Sequence, residues 1–142
     1  MRALTIRQPW AAAIIHGDKR VENRVWPSRY RGVVLLHAGK TLDRHISPLV
    51  AAAVRGLQLE RGAVLGIARI ADCHPDDGQC TPWSRTGHFH HVLTEVTSLP
   101  LPVPWPGSQG LWVPPTTLLD RVREQLDDAT AARLLGEEAG PC

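Results

Sequence analysis

Cysteine, long apolar runs and, in the first half of the chain, acidic side chains are all scarce. Three cysteines, Cys73, Cys80 and Cys142, form an odd set that offers no disulfide framework. No apolar h-region follows Met1, so a reduced, cytoplasmic setting is expected. No apolar stretch approaches the ~20 residues that a membrane span requires, and no membrane partner is expected. Residues 1–69 hold 12 Lys/Arg against 4 Asp/Glu, while residues 70–142 hold 4 against 10. The formal net charge of +2 therefore conceals a basic half and an acidic half. Clustered cations focus potential on one face and release counterions when phosphates bind, so the asymmetry points to a polyanionic partner, with a merely solvated basic face as the alternative.

What is present suits one domain. A chain of 142 residues, 43% of them hydrophobic, can bury one continuous core, and no internal repeat or second core is visible. Twelve glycines and 12 prolines break the apolar residues into short runs, a texture of brief strands and turns. Ala3 to Arg7 starts a strand, and Pro9 opens a helix that reaches His16 and stops at Gly17. Val21 to Trp26 alternates with period two, which puts Val21, Asn23 and Val25 on one face and Glu22, Arg24 and Trp26 on the other. Val33 to Ala38 is a nearly continuous apolar run, expected as a central strand covered on both sides, with Lys40 just past its end. Helical spacing of Leu42, Ile46, Leu49, Val50 and Ala53 predicts one helix or two over 42–55, with Ser47 as a cap. Ala63 to Ala71 and His88 to Val96 read as long strands, Gly66 marking a bulge or bend. Between Leu99 and Pro106 four prolines, Pro100, Pro102, Pro104 and Pro106, remove ladder donors, so this segment is expected as an extended connection against the body. A short strand at Leu111 to Val113 and a helix capped by Thr117, with Leu118, Leu119, Val122 and Leu126 on one side, complete residues 1–126. Residues 127–142 are expected as an acidic, partly ordered tail with one turn of helix near Ala131 to Leu135.

Several segments taken together carry a family likeness. They are Leu4-Thr5-Ile6-Arg7-Gln8-Pro9-Trp10, His16-Gly17-Asp18-Lys19 with Val21-Glu22-Asn23-Arg24, Trp26-Pro27 with Tyr30-Arg31-Gly32, and Leu36-His37-Ala38-Gly39-Lys40. Weaker echoes follow in Gly62-Ala63-Val64-Leu65-Gly66, Val92-Leu93, the proline-rich segment and Gly110-Leu111-Trp112. In this order and spacing they resemble the activating signal cointegrator homology (ASCH) domain, over roughly residues 3–114. The resemblance implies an α+β fold, a small mixed PUA-like β-barrel flanked by short helices, with a cleft beside the first helix. It implies binding of RNA or DNA, while some small members act as ribonucleases or as amidohydrolases on acetylated nucleosides.

The expected cleft gathers Arg7, Gln8, Trp10, Lys19, Glu22, Arg24, Trp26 and Lys40. In the functional reading the cations hold phosphates and Glu22 orients them or accepts from a base amino group. In the structural reading Glu22 simply pairs with Lys19 or Arg24. Trp10 and Trp26 offer stacking surface for single-stranded bases, Trp26 the better placed of the two because it lies on the charged side of its strand. Gln8 serves as an edge reader or as an N-cap substitute. Lys19 and Glu22 are also the candidate catalytic pair. The hydrolase members use a lysine, a threonine three residues on and a later glutamate, and here Lys19 matches the lysine while Glu22 replaces the threonine. That replacement removes the hydroxyl nucleophile, but general acid–base work on RNA through its own 2′-hydroxyl remains open to the pair.

Cys73, His74 and Cys80, with His88, His90 and His91, offer zinc-type ligands, yet their spacing matches no standard module and the Pro75-Asp76-Asp77-Gly78 loop would have to fold back. No metal and no cofactor are therefore assigned. The partner expected is nucleic acid or a nucleotide, bound by a monomer. A protein-interaction adaptor using the proline-rich segment is a third possibility.

Overall fold

The computed structural model describes residues 1–76, 78 and 80–136; Asp77, Gln79 and the last six residues of the expected tail, Cys142 among them, lie outside the described residues. Along the chain come β1 (Arg2–Gln8), α1 (Trp10–Ile15), β2 (Val21–Arg24), β3 (Gly32–Leu42), α2 (Pro48–Ala53), β4 (Ala63–His74), β5 (Phe89–Pro104), β6 (Leu111–Trp112), α3 (Thr116–Arg123) and α4 (Asp128–Leu135). The strands make one six-stranded sheet in the order β2-β5-β4-β3-β1-β6. β1 runs parallel to β3, with Leu4 beside Leu36, and the other neighbours are antiparallel. The sheet curls into a half-barrel of the PUA-like type. Arg24 of β2 shows the extent of the curl, because its Nη2 donates to the Thr5 carbonyl of β1 at 2.6 Å although three strands separate β2 from β1 in the sheet order.

Strand alternation divides the apolar residues between two faces. Leu4, Ile6, Val34, Leu36 and Ala38 point into the curl, where Ala11, Ile14 and Ile15 of α1 cover them. Ala3, Val33 and Leu35 point outward, where Leu118 and Val122 of α3 and Leu134 and Leu135 of α4 cover them. The run at Val33 to Ala38 is buried on both sides, as expected of a central strand. Gly66 permits the bend in β4, since the register shifts there on both of its neighbours and a Cβ would collide with the Thr97 carbonyl oxygen and Ile15 Cδ1.

Four expectations are corrected. Thr117 is not a cap: α3 already begins at Thr116, with Pro115 at the N-cap and no side-chain cap. The helix expected over 42–55 begins only at Pro48, because Leu42 still pairs with Gln8 as the end of β3; Ser47 does cap it, accepting from Val50 N at 3.3 Å. As far as Pro104 the proline-rich segment belongs to β5, with Val103 beside Val64 and Pro104 beside Ala63; Trp105 and Pro106 lie beyond the strand. β2 pairs only as far along β5 as Val92, so Pro100, Pro102 and Pro104 lie where β5 is an outer strand interrupted by bulges, and there a missing N–H is tolerated. Residues 128–135, placed in the tail from their charge, form α4, whose Leu134 and Leu135 complete the outer cluster. Asp127 caps this helix by accepting from Thr130 N at 2.7 Å. Asp127→Ala is expected to cost about 1 kcal/mol in urea unfolding, the usual worth of such a cap.

Among the described residues, no helix is long and apolar enough to cross a membrane.

Candidate nucleic-acid interface

The turn after α1 determines the site. The Lys19 backbone returns to α1 through its N–H to the Ala13 carbonyl at 3.2 Å, and the side chain passes beneath β2 with only 1% of its surface exposed. Its Nζ donates to the Val21 carbonyl and, at 3.2 Å, to Glu22 Oε1. Glu22 and Arg24 share one face of β2, as the period-two reading expected, so Glu22 Oε2 accepts from Arg24 Nε at 3.1 Å. Lys19, Glu22 and Arg24 thus form a chain of charges that ends on Thr5 of β1.

Burial lowers the Lys19 pKa against the opposing pull of Glu22. For Glu22, burial works upward, but the charges and hydrogen bonds of Lys19 and Arg24 outweigh it and hold the pKa below the ordinary glutamate value. Glu22 is therefore an anion in the folded protein.

Above this floor opens a cleft of about 1260 Å³. Trp10 and Trp26 are half-buried walls, with Lys19 Nζ 5.9 Å from the first ring centroid and the Arg24 guanidinium 5.8 Å from the second. Trp10 Nε1 donates to Asp43 Oδ2 at 3.3 Å. Arg7, Lys40 and Arg85 are exposed at the rim. A smaller hollow of about 360 Å³ shares Thr5, Gly39 and Lys40 with the cleft and is lined also by His37 and Gly107.

Seven of the eight residues expected in the cleft line it: Arg7, Trp10, Lys19, Glu22, Arg24, Trp26 and Lys40. Gln8 does not. It is fully buried, its Oε1 accepting from Ala12 N at 3.0 Å and its Nε2 donating to the Glu60 carbonyl at 2.7 Å, so it caps the first turn of α1 and ties it to the segment before β4. Lys19 lies in the floor with its ammonium committed to Val21 and Glu22, which leaves the rim cations as those open to a ligand.

Asn23, Trp83 and Arg85 also line the cleft. The Asn23 amide donates to the Trp83 carbonyl at 2.9 Å and accepts from Arg85 N at 2.9 Å, holding the loop between β4 and β5 against β2. A polar side chain inside an alternating strand was the available signal for Asn23. Trp83 and Arg85 lie in a loop without periodicity and gave none.

Two buried histidines stay neutral. His37 accepts from Thr5 Oγ1 at Nδ1 (3.2 Å) and donates from Nε2 to the Trp105 carbonyl (2.6 Å), while Thr5 Oγ1 accepts from Trp112 Nε1 at 3.1 Å. His91 donates from Nε2 to the Trp26 carbonyl at 3.1 Å and keeps Nδ1 buried without a partner. Burial lowers both pKa values from the ordinary 6.5, against the rise their backbone hydrogen bonds favour. A lowered histidine pKa means that the unfolded chain binds the proton first, so the stability held above 6.5 is lost as pH falls from there toward the folded values. The thermal midpoint is expected to drop steadily between about pH 7 and pH 5, before carboxylates titrate; a flat profile in that window would show that both rings carry protons in the fold.

The cysteine–histidine group divides in two. Cys73 Sγ lies 3.8 Å from His91 Nε2, whereas His74, Cys80 and His90 bring their ligand atoms within 4.8 Å of one another. His88 lines the cleft instead.

The family model of the ASCH domain matches residues 4–104. Over 80 residues the chain is 34% identical to Activating signal cointegrator 1 of Homo sapiens, an alignment that covers 49% of this chain and 14% of that protein. The chain thus corresponds to a small part of that relative's length.

Proposed function

Because the chain belongs to the ASCH domain family, whose members are generally RNA-binding, we propose that it binds RNA, as a single strand, an end or a nucleotide, in the cleft beside α1. One observation carries the reading: exposed Arg7, Lys40 and Arg85 ring an opening whose walls are Trp10 and Trp26. Cations at the rim suit phosphates, and half-buried indoles suit unstacked bases at ~1–3 kcal/mol each. Asn23 and Arg24 line the cleft between them, and at about 1260 Å³ the cleft exceeds the usual small-ligand range and accommodates more than one nucleotide unit. DNA shares the phosphate chemistry and differs in the 2′-hydroxyl.

The second reading is hydrolysis of RNA or of a modified nucleoside such as N4-acetylcytidine. Its observation is that Lys19 and Glu22, the hydrogen-bonded pair singled out as candidate acid and base, both line the floor of the cleft.

Both readings meet one experiment. Labelled single-stranded RNA and DNA of the same sequence are titrated by anisotropy across a salt series and then run on a denaturing gel, with acetylcytidine incubated in parallel. Binding through phosphates gives a log–log salt slope of about −0.7 for each phosphate neutralised. A salt-independent affinity, or no binding to either polymer, overturns the first reading. Shortened RNA or released acetate that disappears in a Lys19→Met variant whose circular dichroism and thermal unfolding show it to be folded supports the second; no product from the wild-type chain overturns it.

A further inference from the structure

The sequence spacing of His74, Cys80 and His90 matches no metal module, yet the fold brings them together. His74 ends β4, His90 lies one residue inside β5, and these two are paired across the ladder, their rings 5.2 Å apart. Cys80 comes from the loop between them, its Sγ 3.6 Å from His90 Nδ1 and 2.9 Å from Ser84 Oγ. A tetrahedral zinc ion with bonds of ~2.0–2.3 Å holds its ligand atoms about 3.4–3.7 Å apart. The cysteine–histidine edge already has that length, and the full triangle, at up to 4.8 Å, needs about 1 Å of closure on one side.

The second nitrogens supply an independent observation. His90 Nε2 is 3.0 Å from the Arg85 carbonyl and His74 Nδ1 is 3.0 Å from the Pro75 carbonyl. A carbonyl only accepts, so each of those nitrogens carries a ring proton, and at His90 the lone pair is on Nδ1, the atom that faces Cys80 Sγ. Metal-bound histidines are oriented in this way, the far N–H donating to a backbone carbonyl. His90 is fully buried and Cys80 exposed, so the cluster is rigid on one side and open to an ion on the other. The Cys73–His91 pair has no third ligand within the same reach among the described residues.

The geometry points to a binding site for a zinc-type divalent cation on His74, Cys80 and His90, with the thiolate of Cys80 as the charged ligand and a fourth position left to water. Two imidazoles and one thiolate favour a borderline-soft ion over calcium or magnesium. The ion would staple the ends of β4 and β5 to the loop that carries Trp83 and Arg85, a consequence that holds whatever the cleft binds.

The test uses the full chain stripped of metal, in a Cys73→Ser/Cys142→Ser background where Cys80 is the one remaining thiol. Titrated Co²⁺ is expected to produce a thiolate-to-cobalt charge-transfer band and tetrahedral d–d bands that saturate near one equivalent and are displaced by Zn²⁺. Cys80→Ser should abolish the charge-transfer band, and His74→Gln, at a half-buried position that tolerates change better than His90, should weaken Co²⁺ binding about a hundredfold. Zinc should also slow tryptic cleavage after exposed Arg85 in the wild-type chain and not in Cys80→Ser. No charge-transfer band, or one that survives Cys80→Ser, overturns the site; equal cleavage rates with and without zinc overturn the stapling of the loop.

Discussion

Glu22→Ala is expected to lower the unfolding free energy by about 3–5 kcal/mol, as when one partner of a buried ion pair is removed. Lys19 is 1% exposed and its amine is enclosed by α1 and β2, so it cannot turn into water when its counter-charge is gone. Arg24 loses the carboxylate that aims it, and with it the tie to the Thr5 carbonyl that spans the open side of the curled sheet. Both effects act in one direction. Lys19→Met should cost less, because Glu22 keeps the partly exposed Arg24 as partner. The double variant Lys19→Met/Glu22→Ala should recover part of the loss, since an uncharged pair leaves no isolated ion in the floor. Urea unfolding of the four proteins measures this coupling. A loss below about 1 kcal/mol for Glu22→Ala would put the pair among surface ion pairs and remove the clasp.

The second large effect is on affinity. Arg7→Ala/Lys40→Ala/Arg85→Ala removes the rim cations while leaving the buried triad intact, and because all three side chains are exposed the fold should tolerate it. Exposed ion pairs are worth up to ~1 kcal/mol each, so the combined loss for single-stranded RNA at low salt should reach about a hundredfold. The log–log salt slope should become shallower by about 2, close to 0.7 for each phosphate that no longer meets a cation. Affinity and slope must change together: weaker binding with an unchanged slope would mean that the three side chains meet no phosphate, and the cleft would then recognise its ligand through the indoles and Asn23.

Much of this architecture was legible in the chain. Alternation at Ala3 to Arg7 and the apolar run at Val33 to Ala38 announced two strands, and the structure pairs them in parallel. Pro9 and Gly17 bracketed α1, and Ser47-Pro48 marked the start of α2 even though the apolar spacing before it suggested an earlier one. The proline-rich segment misled because a missing N–H excludes a residue from a central ladder only, and where β5 outruns β2 it is not central. Charge misled at α4: Asp127 and Asp128 are its N-terminal cap and first turn, and the leucines that matter follow six and seven residues later. The single core expected from the sequence is two clusters, since alternation along β1 and β3 feeds both faces of one sheet.

By itself the sequence determined the types of most strands and helices, the family, the basic character of the first half and seven of the residues that line the cleft, because these follow from side-chain period, turn chemistry and composition, which act over neighbouring positions. The tertiary structure alone decided that Lys19 is enclosed rather than offered to a ligand, that Gln8 is a buried cap, that Asn23 carries the loop with Trp83 and Arg85, and that His74, Cys80 and His90 meet. Each of these depends on the curl of the sheet and the register of β4 against β5, which bring together residues distant in sequence, and no local pattern encodes such distances.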